Sequence, residues 1–502
     1  MHVLPSVNSR RTRIVVLAIV VLVVVARSAV FLLWEQALFD SDQAVIGLMA
    51  KHLSEGRAFP LFLYGANYIL GVEAWMAAPV FKIAGVSVAA LRFPVLLVNI
   101  AAALLLVRLL ERDGGLSAPL AAVAAVFFVL PPPGASAELL DVSGVNPEPF
   151  LYVLLIWMTR HRPALCGLIV GFGFLQREFT IYAPLALLVI GGASGALFTR
   201  DGVRRTFAAA RTAAEVWLVV TVLKTYSSAA GPGTTLADMY RPANNLRNLF
   251  GRICFDPSTA LDGIRQLATV HWVRLFGLRV EPLVGFAIDS RVNQGVSGAW
   301  ILFAAAMLIA IVRVVMWIAS TKRVDRSQYF AAYLTLVGLI SATSFVLARC
   351  GAIGPLRYTL FSIFGAIGMS AWFLQVERQR RIRTVWIALV AAWAVVAAIG
   401  HARLWNEYLT HPPYGFKRLM IKELQARGVH YAIADYWNAY YISFLTNEGI
   451  IVKSEDFPRI QEYDRQVDAH INEAIRVSRT ACEGGQPVMP GLYFCPPPIP
   501  NR

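Results

Sequence analysis

Apolar residues fall in long runs separated by short polar connections from the N-terminus to about residue 400. The first run, Ile14 to Trp34, contains almost nothing but Ile, Val, Leu, Ala and Phe around Arg27 and Ser28, and has the length an α-helix needs to cross a bilayer. Further runs are Phe93 to Leu110, Leu116 to Leu130, Pro149 to Met158, Ala164 to Leu175, Tyr182 to Phe198 and Ala213 to Leu223. After these come Ala299 to Ala319, Phe330 to Leu347, Tyr358 to Val376 and Val385 to Gly400. Together they predict about eleven transmembrane helices, although several central runs are shorter than a crossing, so one or two can be re-entrant. From His401 the pattern changes: a helical period over Phe416 to Arg427 stops at Gly428, followed by a strand at Val429 to Ala434, a short helix at Asn438 to Leu445 and a strand at Ile450 to Lys453. The expected architecture is an α-helical polytopic membrane protein over residues 1–400 with a small α/β tail over residues 401–502.

Composition excludes a soluble globular chain: 57% of residues are hydrophobic, 15% are charged, and the mean hydropathy is +0.57. The net charge of +15 belongs to clusters between apolar runs rather than to a nucleic-acid-binding patch. These clusters are Arg10, Arg11 and Arg13; Arg108 and Arg112; Arg160 and Arg162; Arg200, Arg204 and Arg205; Lys322, Arg323 and Arg326; and Arg378, Arg380, Arg381 and Arg383. The opposite short connections hold little beyond Arg177, Arg349 and Arg357. The positive-inside rule therefore predicts a cytoplasmic N-terminus, with segments 35–92, 131–148 and 224–298 and the tail on the far side of a bacterial inner membrane. Because its apolar core is long and lacks a small-residue cleavage site, the first run reads as a retained helix rather than a signal peptide. The five cysteines show no metal spacing; Cys482 and Cys495, in an extracytoplasmic tail, are the candidate disulfide.

The candidate chemistry is concentrated in the connection after the first helix. Asp40 and Asp42 open a helix that runs to about Glu55 before Gly56. Two carboxylates so placed can hold a divalent cation or act as a base and its orienting partner; equally, Asp before a helix caps free backbone N–H groups. Glu148 opens the run beginning at Pro149, with Glu138 and Asp141 in the same connection. These are site candidates or solvated loop acids. Arg177 and Glu178 occupy a tip between apolar runs and form either an ion pair or part of a site, since charges at membrane depth are costly to leave unpaired. Arg357, before Tyr358, can clamp a phosphate or snorkel to the interface. Asp435, Tyr436 and Trp437 in the tail can stack on sugar rings or pack the small fold.

The order of a first membrane helix, an acidic pair, an amphipathic helix ending in Gly, a turn with Tyr64 and Tyr68, and a second amphipathic helix with Glu73 and Pro79 resembles the C-fold lipid-linked-sugar glycosyltransferases (GT-C). That group includes protein O-mannosyltransferases, the aminoarabinose transferase of lipid A and the lipopolysaccharide-core galacturonosyl transferases. The likeness covers roughly residues 14–200, and Glu148-Pro149 and Arg357-Tyr358 match further habits of the group. A departure is YILGVEAW, where the aminoarabinose enzyme has a Lys. The resemblance implies an inverting hexosyl- or pentosyltransferase that moves sugar from a polyprenyl-phosphate carrier to an envelope glycan, lipid or protein hydroxyl. It further implies catalytic roles for Asp40, Asp42 and Glu148, and substrate contacts from Arg357, Glu178, Arg177, Asp141 and Tyr64. A Mg or Mn ion on Asp42 and Glu148 is consistent with it. A transporter or flippase of lipid-linked sugars, or an inert scaffold of the same fold, is the alternative reading.

Overall fold

The computed structural model describes residues 10–35, 39–143, 147–224, 226, 227, 231, 257–277, 298–322, 324–347, 356–411 and 415–496. Arg323, Arg349, Cys254, Cys350 and most of the connection between residues 224 and 298 lie outside the described residues. The first half comprises α1 (Arg10–Leu33), α2 (Ser41–Ser54), the hairpin β1 (Phe62–Leu63) and β2 (Ala66–Leu70), α3 (Val72–Ala84), α4 (Val88–Arg112) and α5 (Ala118–Val129). It continues with α6 (Pro133–Glu138), α7 (Glu148–Thr159), α8 (Pro163–Gln176), α9 (Tyr182–Ala193) and α10 (Arg200–Lys224). Then come α11 (Pro257–Gln266), α12 (Trp272–Phe276), α13 (Ala299–Thr321), α14 (Tyr329–Leu347), α15 (Ser362–Val376) and α16 (Arg380–Thr410).

Among the described residues, seven helical segments are long and apolar enough to cross a membrane: α1, α4, α10, α13, Arg326–Leu347, Leu356–Val376 and α16. Four shorter apolar helices, Ala118–Val129, Glu148–Thr159, Pro163–Gln176 and Glu178–Ala193, accompany them. The chain is a multi-pass membrane protein. In lipid, apolar burial does not drive helices together, and close backbone approach takes over. Gly167 and Gly171 of α8 accordingly lie against α10, and Gly338 of α14 lies against Gly365 of α15, where a Cβ would collide with backbone.

Two boundaries differ most from the hydrophobic pattern. α10 starts at Arg200, so Arg200, Arg204 and Arg205 lie inside the helix rather than in a connection. Its first turns are polar and held by an Asp201–Arg205 ion pair at 2.7 Å, and a hydropathy pattern registers only the apolar half. Likewise α16 continues to Thr410, past His401, because its polar last turns keep helical register.

The tail contains α17 (Phe416–Ala426), β3 (Tyr431–Ala434), α18 (Tyr436–Leu445), β4 (Ile451–Ser454), α19 (Gln461–Ala469), β5 (Ile475–Ser478), β6 (Gln486–Met489) and β7 (Leu492–Cys495). Its sheet runs β4-β3-β5-β7-β6, with β4, β3 and β5 parallel and β7 antiparallel to both its neighbours. The parallel part needs helical crossovers, supplied by α18 and α19. Cys482 and Cys495 form a disulfide, with Cα atoms 6.0 Å apart, that ties the strand β7 to the segment before β6.

α18 packs on α2, with the Phe444 ring occupying the space a Cβ at Gly47 would fill. Beside this contact Asn447 and Glu448 both take left-handed backbone (φ 54° and 65°), which turns Glu448 back toward α2. Its carboxylate accepts hydrogen bonds from Lys51 Nζ, Arg57 Nη1 (2.7 Å), His52 Nε2 (3.0 Å) and the Tyr463 hydroxyl (2.8 Å). These donors hold the carboxyl well below the usual carboxylate range in spite of its burial. Removing the acid leaves Lys51 with only Glu55, at 2.7 Å, and His52 with only the Tyr64 hydroxyl in a nearly closed site. Glu448→Ala is therefore expected to weaken docking of the tail by about 2–3 kcal/mol, at or just under the low end for a broken buried pair because Lys51 and His52 each keep one partner. Limited proteolysis in detergent should cut the variant's tail several times faster than the wild type's; equal rates would show that the clamp contributes nothing.

Candidate active site

Asp40 and Asp42 divide the two roles their spacing allows. Asp40 is the N-cap of α2, in extended backbone, and its Oδ1 accepts the Gln43 N–H at 2.9 Å. Asp42 lies in the first turn, and its carboxylate accepts a hydrogen bond from the hydroxyl of Tyr436, the first residue of α18. The tail thus reaches the acidic pair directly. Tyr436 is buried and its phenol is pushed up, chiefly by burial and then by the Asp42 charge, so it stays protonated as a donor. Gln43 is fixed in turn by Arg92 Nε at 3.0 Å, and Arg92 also donates to the Phe31 carbonyl, locking the start of α2 against α1 and α4.

The second set of acids comes from the connection between α5 and α7. Asn99 Nδ2 donates to the Leu139 carbonyl at 2.6 Å, and Asn99 Oδ1 accepts from the buried Arg27 at 2.9 Å. His401 Nε2 lies 2.9 Å from the Pro131 carbonyl and 3.3 Å from Ser136 Oγ. These ties hold Glu138 and Asp141 within electrostatic reach of Asp40 and Asp42. Four carboxyls in one partly dry place cannot all be ionised. Burial first, then Asp141 and Asp42, pushes Asp40 up to about 8. Burial pushes Glu138 up to about 7, against the pull of Arg357 and Arg274; burial and then Glu138 push Asp141 up to about 7. Burial also pulls the Lys417 ammonium, which donates to the Phe39 carbonyl, down to about 8.

Arg357 faces this cluster from the short helical turn Leu356–Thr359, in the field of Asp42, Asp141 and Glu138. It pairs with none of them among the described residues, and its buried Nε has no hydrogen-bond partner. With Tyr358, Phe361, Phe179 and Pro149 it lines a small, mostly apolar cavity. Arg177 lies near it, 3.7 Å from Glu178 and with its guanidinium 4.8 Å from the Phe179 ring centre.

The other sequence candidates are placed elsewhere. Glu148, 3% exposed at the start of α7, sits against Glu73 of α3 rather than in the Asp42 cluster. Tyr64 is fully buried beside His52, its hydroxyl 3.2 Å from Nδ1, and belongs to the surroundings of Glu448. Asp435 caps α18 through the Asn438 N–H at 3.0 Å and pairs with Arg479 at 3.4 Å. No group of three His, Cys, Asp or Glu side chains among the described residues is disposed to hold a metal ion. Asp42, engaged by Tyr436, and Glu148, against Glu73, do not form the donor set that the sequence suggests for Mg or Mn. Sequence reasoning missed Arg459, which lies beside Tyr436; it follows a strand in the tail and matches no motif.

No family model matches the chain, and no curated protein matches it. Among solved structures, an oligosaccharyltransferase of Archaeoglobus fulgidus, in complex with Zn and sulfate, is similar over 92% of this chain and 68% of its own, at 13% identity and TM-score 0.49. ArnT of Cupriavidus metallidurans, bound to undecaprenyl phosphate, is similar over 92% of each chain, at 11% identity and TM-score 0.35.

The raised acids set a pH dependence. Asp40, Glu138 and Asp141 keep protons in the folded chain at pH values where the unfolded chain has lost them, so stability falls as pH rises from about 4 to about 8. Glu448, shifted the other way, loses its contribution only as pH falls below that window, and Lys417 affects the slope only above about 8. Asp141→Asn should therefore raise the melting temperature of the solubilised protein at pH 8 by on the order of 2 °C, with a smaller gap at pH 5. A variant that melts with or below the wild type at pH 8 would contradict this placement.

Proposed function

We propose that this chain is an inverting membrane glycosyltransferase that moves a hexosyl or pentosyl unit from a polyprenyl-phosphate carrier to a hydroxyl of an envelope glycan, lipid or protein. The observation that carries the reading is the opposition of Asp42, held by Tyr436, to Arg357, whose guanidinium has no acidic partner among the described residues. The arrangement separates a proton acceptor from an anion-binding group across one site, as displacement of a phosphate at an anomeric carbon requires. The layout that resembles the C-fold transferases supports the same reading.

In this mechanism the acceptor hydroxyl attacks the anomeric carbon. Its proton passes to an Asp42 oxygen, the new C–O bond forms, and the carbon–oxygen bond to phosphate breaks with its electron pair leaving on the lipid phosphate. Arg357, and Arg177 near it, stabilise the charge gathered there, and Pro149, Phe179 and Phe361 give the Arg357 guanidinium apolar walls that strengthen its pull on an anion. Asp40 orients Asp42 by fixing the start of α2, and protonated Glu138 and Asp141 limit the negative charge opposing the phosphate. Glu178 holds Arg177 in place beside Arg357, and Glu148, packed against Glu73, takes no part in the step. The charge clusters support a bacterial inner-membrane location with the N-terminus cytoplasmic and the site and the C-terminal domain, residues 401–502, periplasmic.

Asp42→Asn keeps the shape and removes the base. Lost general-base catalysis costs about 10² to 10⁴ in rate, whereas at Asp42, which lies in the first turn of α2 and does not cap it, the lost charge costs the helix only about 0.3–1 kcal/mol. Purified variant and wild type, matched in detergent melting temperature, would be compared for transfer from polyprenyl-phosphate donors extracted from the source cells. The proposal expects a loss of at least about a hundredfold with donor binding retained; transfer within about threefold of wild type would reject it.

A further inference from the structure

Tyr436 is flanked by two large aromatic rings that the fold leaves half in solvent. Trp437 is 50% exposed and meets Tyr436 edge-on at 5.2 Å between ring centres; Phe457 is 49% exposed and meets it edge-on at 5.6 Å. Across them lies Arg459, its guanidinium 4.4 Å from the Phe457 centre and 5.8 Å from that of Tyr436. Its stem crosses Gly65, in the left-handed turn of the β1–β2 hairpin, where any Cβ would displace it, and its Nη1 donates to the Tyr64 carbonyl at 3.4 Å. No carboxylate among the described residues pairs with it, and its Nε is buried without a hydrogen-bond partner. The tail is otherwise rich in completed ion pairs, such as Lys453 with Asp468 at 2.6 Å and Arg476 with Glu455 at 2.5 Å.

We infer that Trp437, Phe457 and Arg459 form the acceptor subsite and take a sugar that carries an anionic substituent. Flat exposed rings fit the apolar face of a pyranose, and an unneutralised planar guanidinium fits a carboxylate or phosphate on that ring. Both meet at the one tyrosine whose hydroxyl bonds Asp42, so a sugar held there lies beside the proposed base. The assignment rests on the transferase reading for its role but is tested by binding alone. The anionic sugar can be the headgroup of a glycolipid or part of a soluble polysaccharide.

The test is calorimetric titration of the full chain in nanodiscs with trigalacturonate and with neutral maltotriose. Wild type should bind trigalacturonate at least about tenfold more tightly than maltotriose, the discrimination a charge-assisted bond supplies. Arg459→Gln should erase most of that preference, and Trp437→Ala should weaken both sugars by about tenfold. Both variants change partly exposed side chains, and their melting temperatures would confirm folding. Asp42→Asn should keep the preference for trigalacturonate over maltotriose, which separates this proposal from the catalytic one: lost transfer with binding insensitive to Arg459 and Trp437 rejects the subsite alone. Equal affinity for the two sugars, or no binding by wild type, overturns it. So does unchanged binding by Trp437→Ala, which would place the indole at the lipid surface instead. Trigalacturonate on a lipid anchor in the same nanodisc distinguishes the sources: competition with the soluble form supports a glycolipid headgroup, and its absence supports a soluble acceptor.

Discussion

The clamp of Glu448 on α2 is the interaction on which the candidate site depends. Tyr436 and Asp42 are far apart in sequence and belong to different parts of the chain, and their hydrogen bond exists only while α18 is seated on α2. Two features seat it. Phe444 fills the space beside Gly47, and Glu448 collects donors from Lys51, His52, Arg57 and Tyr463. The clamp accepts two consecutive left-handed non-glycine residues to aim Glu448, a backbone cost of the kind tolerated where surrounding contacts over-determine the conformation.

Charge distribution gives the site its second constraint. Asp40, Asp42, Glu138 and Asp141 converge from two connections, and burial first, then their mutual repulsion, keeps a proton on Asp40 and, part of the time, on Glu138 and Asp141 near neutral pH. A site with four full negative charges would repel a phosphate. With part of that charge neutralised, Arg357 can dominate its own side, while Asp42 remains tied to a tyrosine that donates but does not ionise. The buried polar contacts of Arg27, Asn99 and His401 within the bundle hold the backbone that carries Glu138 and Asp141.

Much of the bundle was legible because lipid imposes one strong rule on sequence: long apolar runs become helices, as α1, α4 and α13 illustrate. The rule sees only the apolar part of a helix, so the polar starts of α10 and the polar end of α16 escaped it. In the tail, α17, β3, α18 and β4 were readable from period and from Gly428. The strands β5 to β7 were not, because they are only four residues long and alternate weakly. At the site, the acidic pair and Arg357 were visible as chemistry out of place near membrane runs. Which acids meet them was not: Glu148 and Asp141 look alike in sequence, and only the fold sends one to Glu73 and the other to Asp40. Arg459 and Tyr436 reach the site through tertiary docking, which no local spacing reports.

The tail completes the site by holding Asp42 through Tyr436. The most direct test of this is a double-mutant cycle on transfer rate with Tyr436→Phe, Asp42→Asn and the pair. If Tyr436 acts through Asp42, Tyr436→Phe alone slows transfer by about tenfold, the scale of one lost hydrogen bond to a charged group, and adding it to Asp42→Asn slows nothing further. Independent effects, with the double variant slower than Asp42→Asn by the full factor seen for Tyr436→Phe alone, would contradict the account.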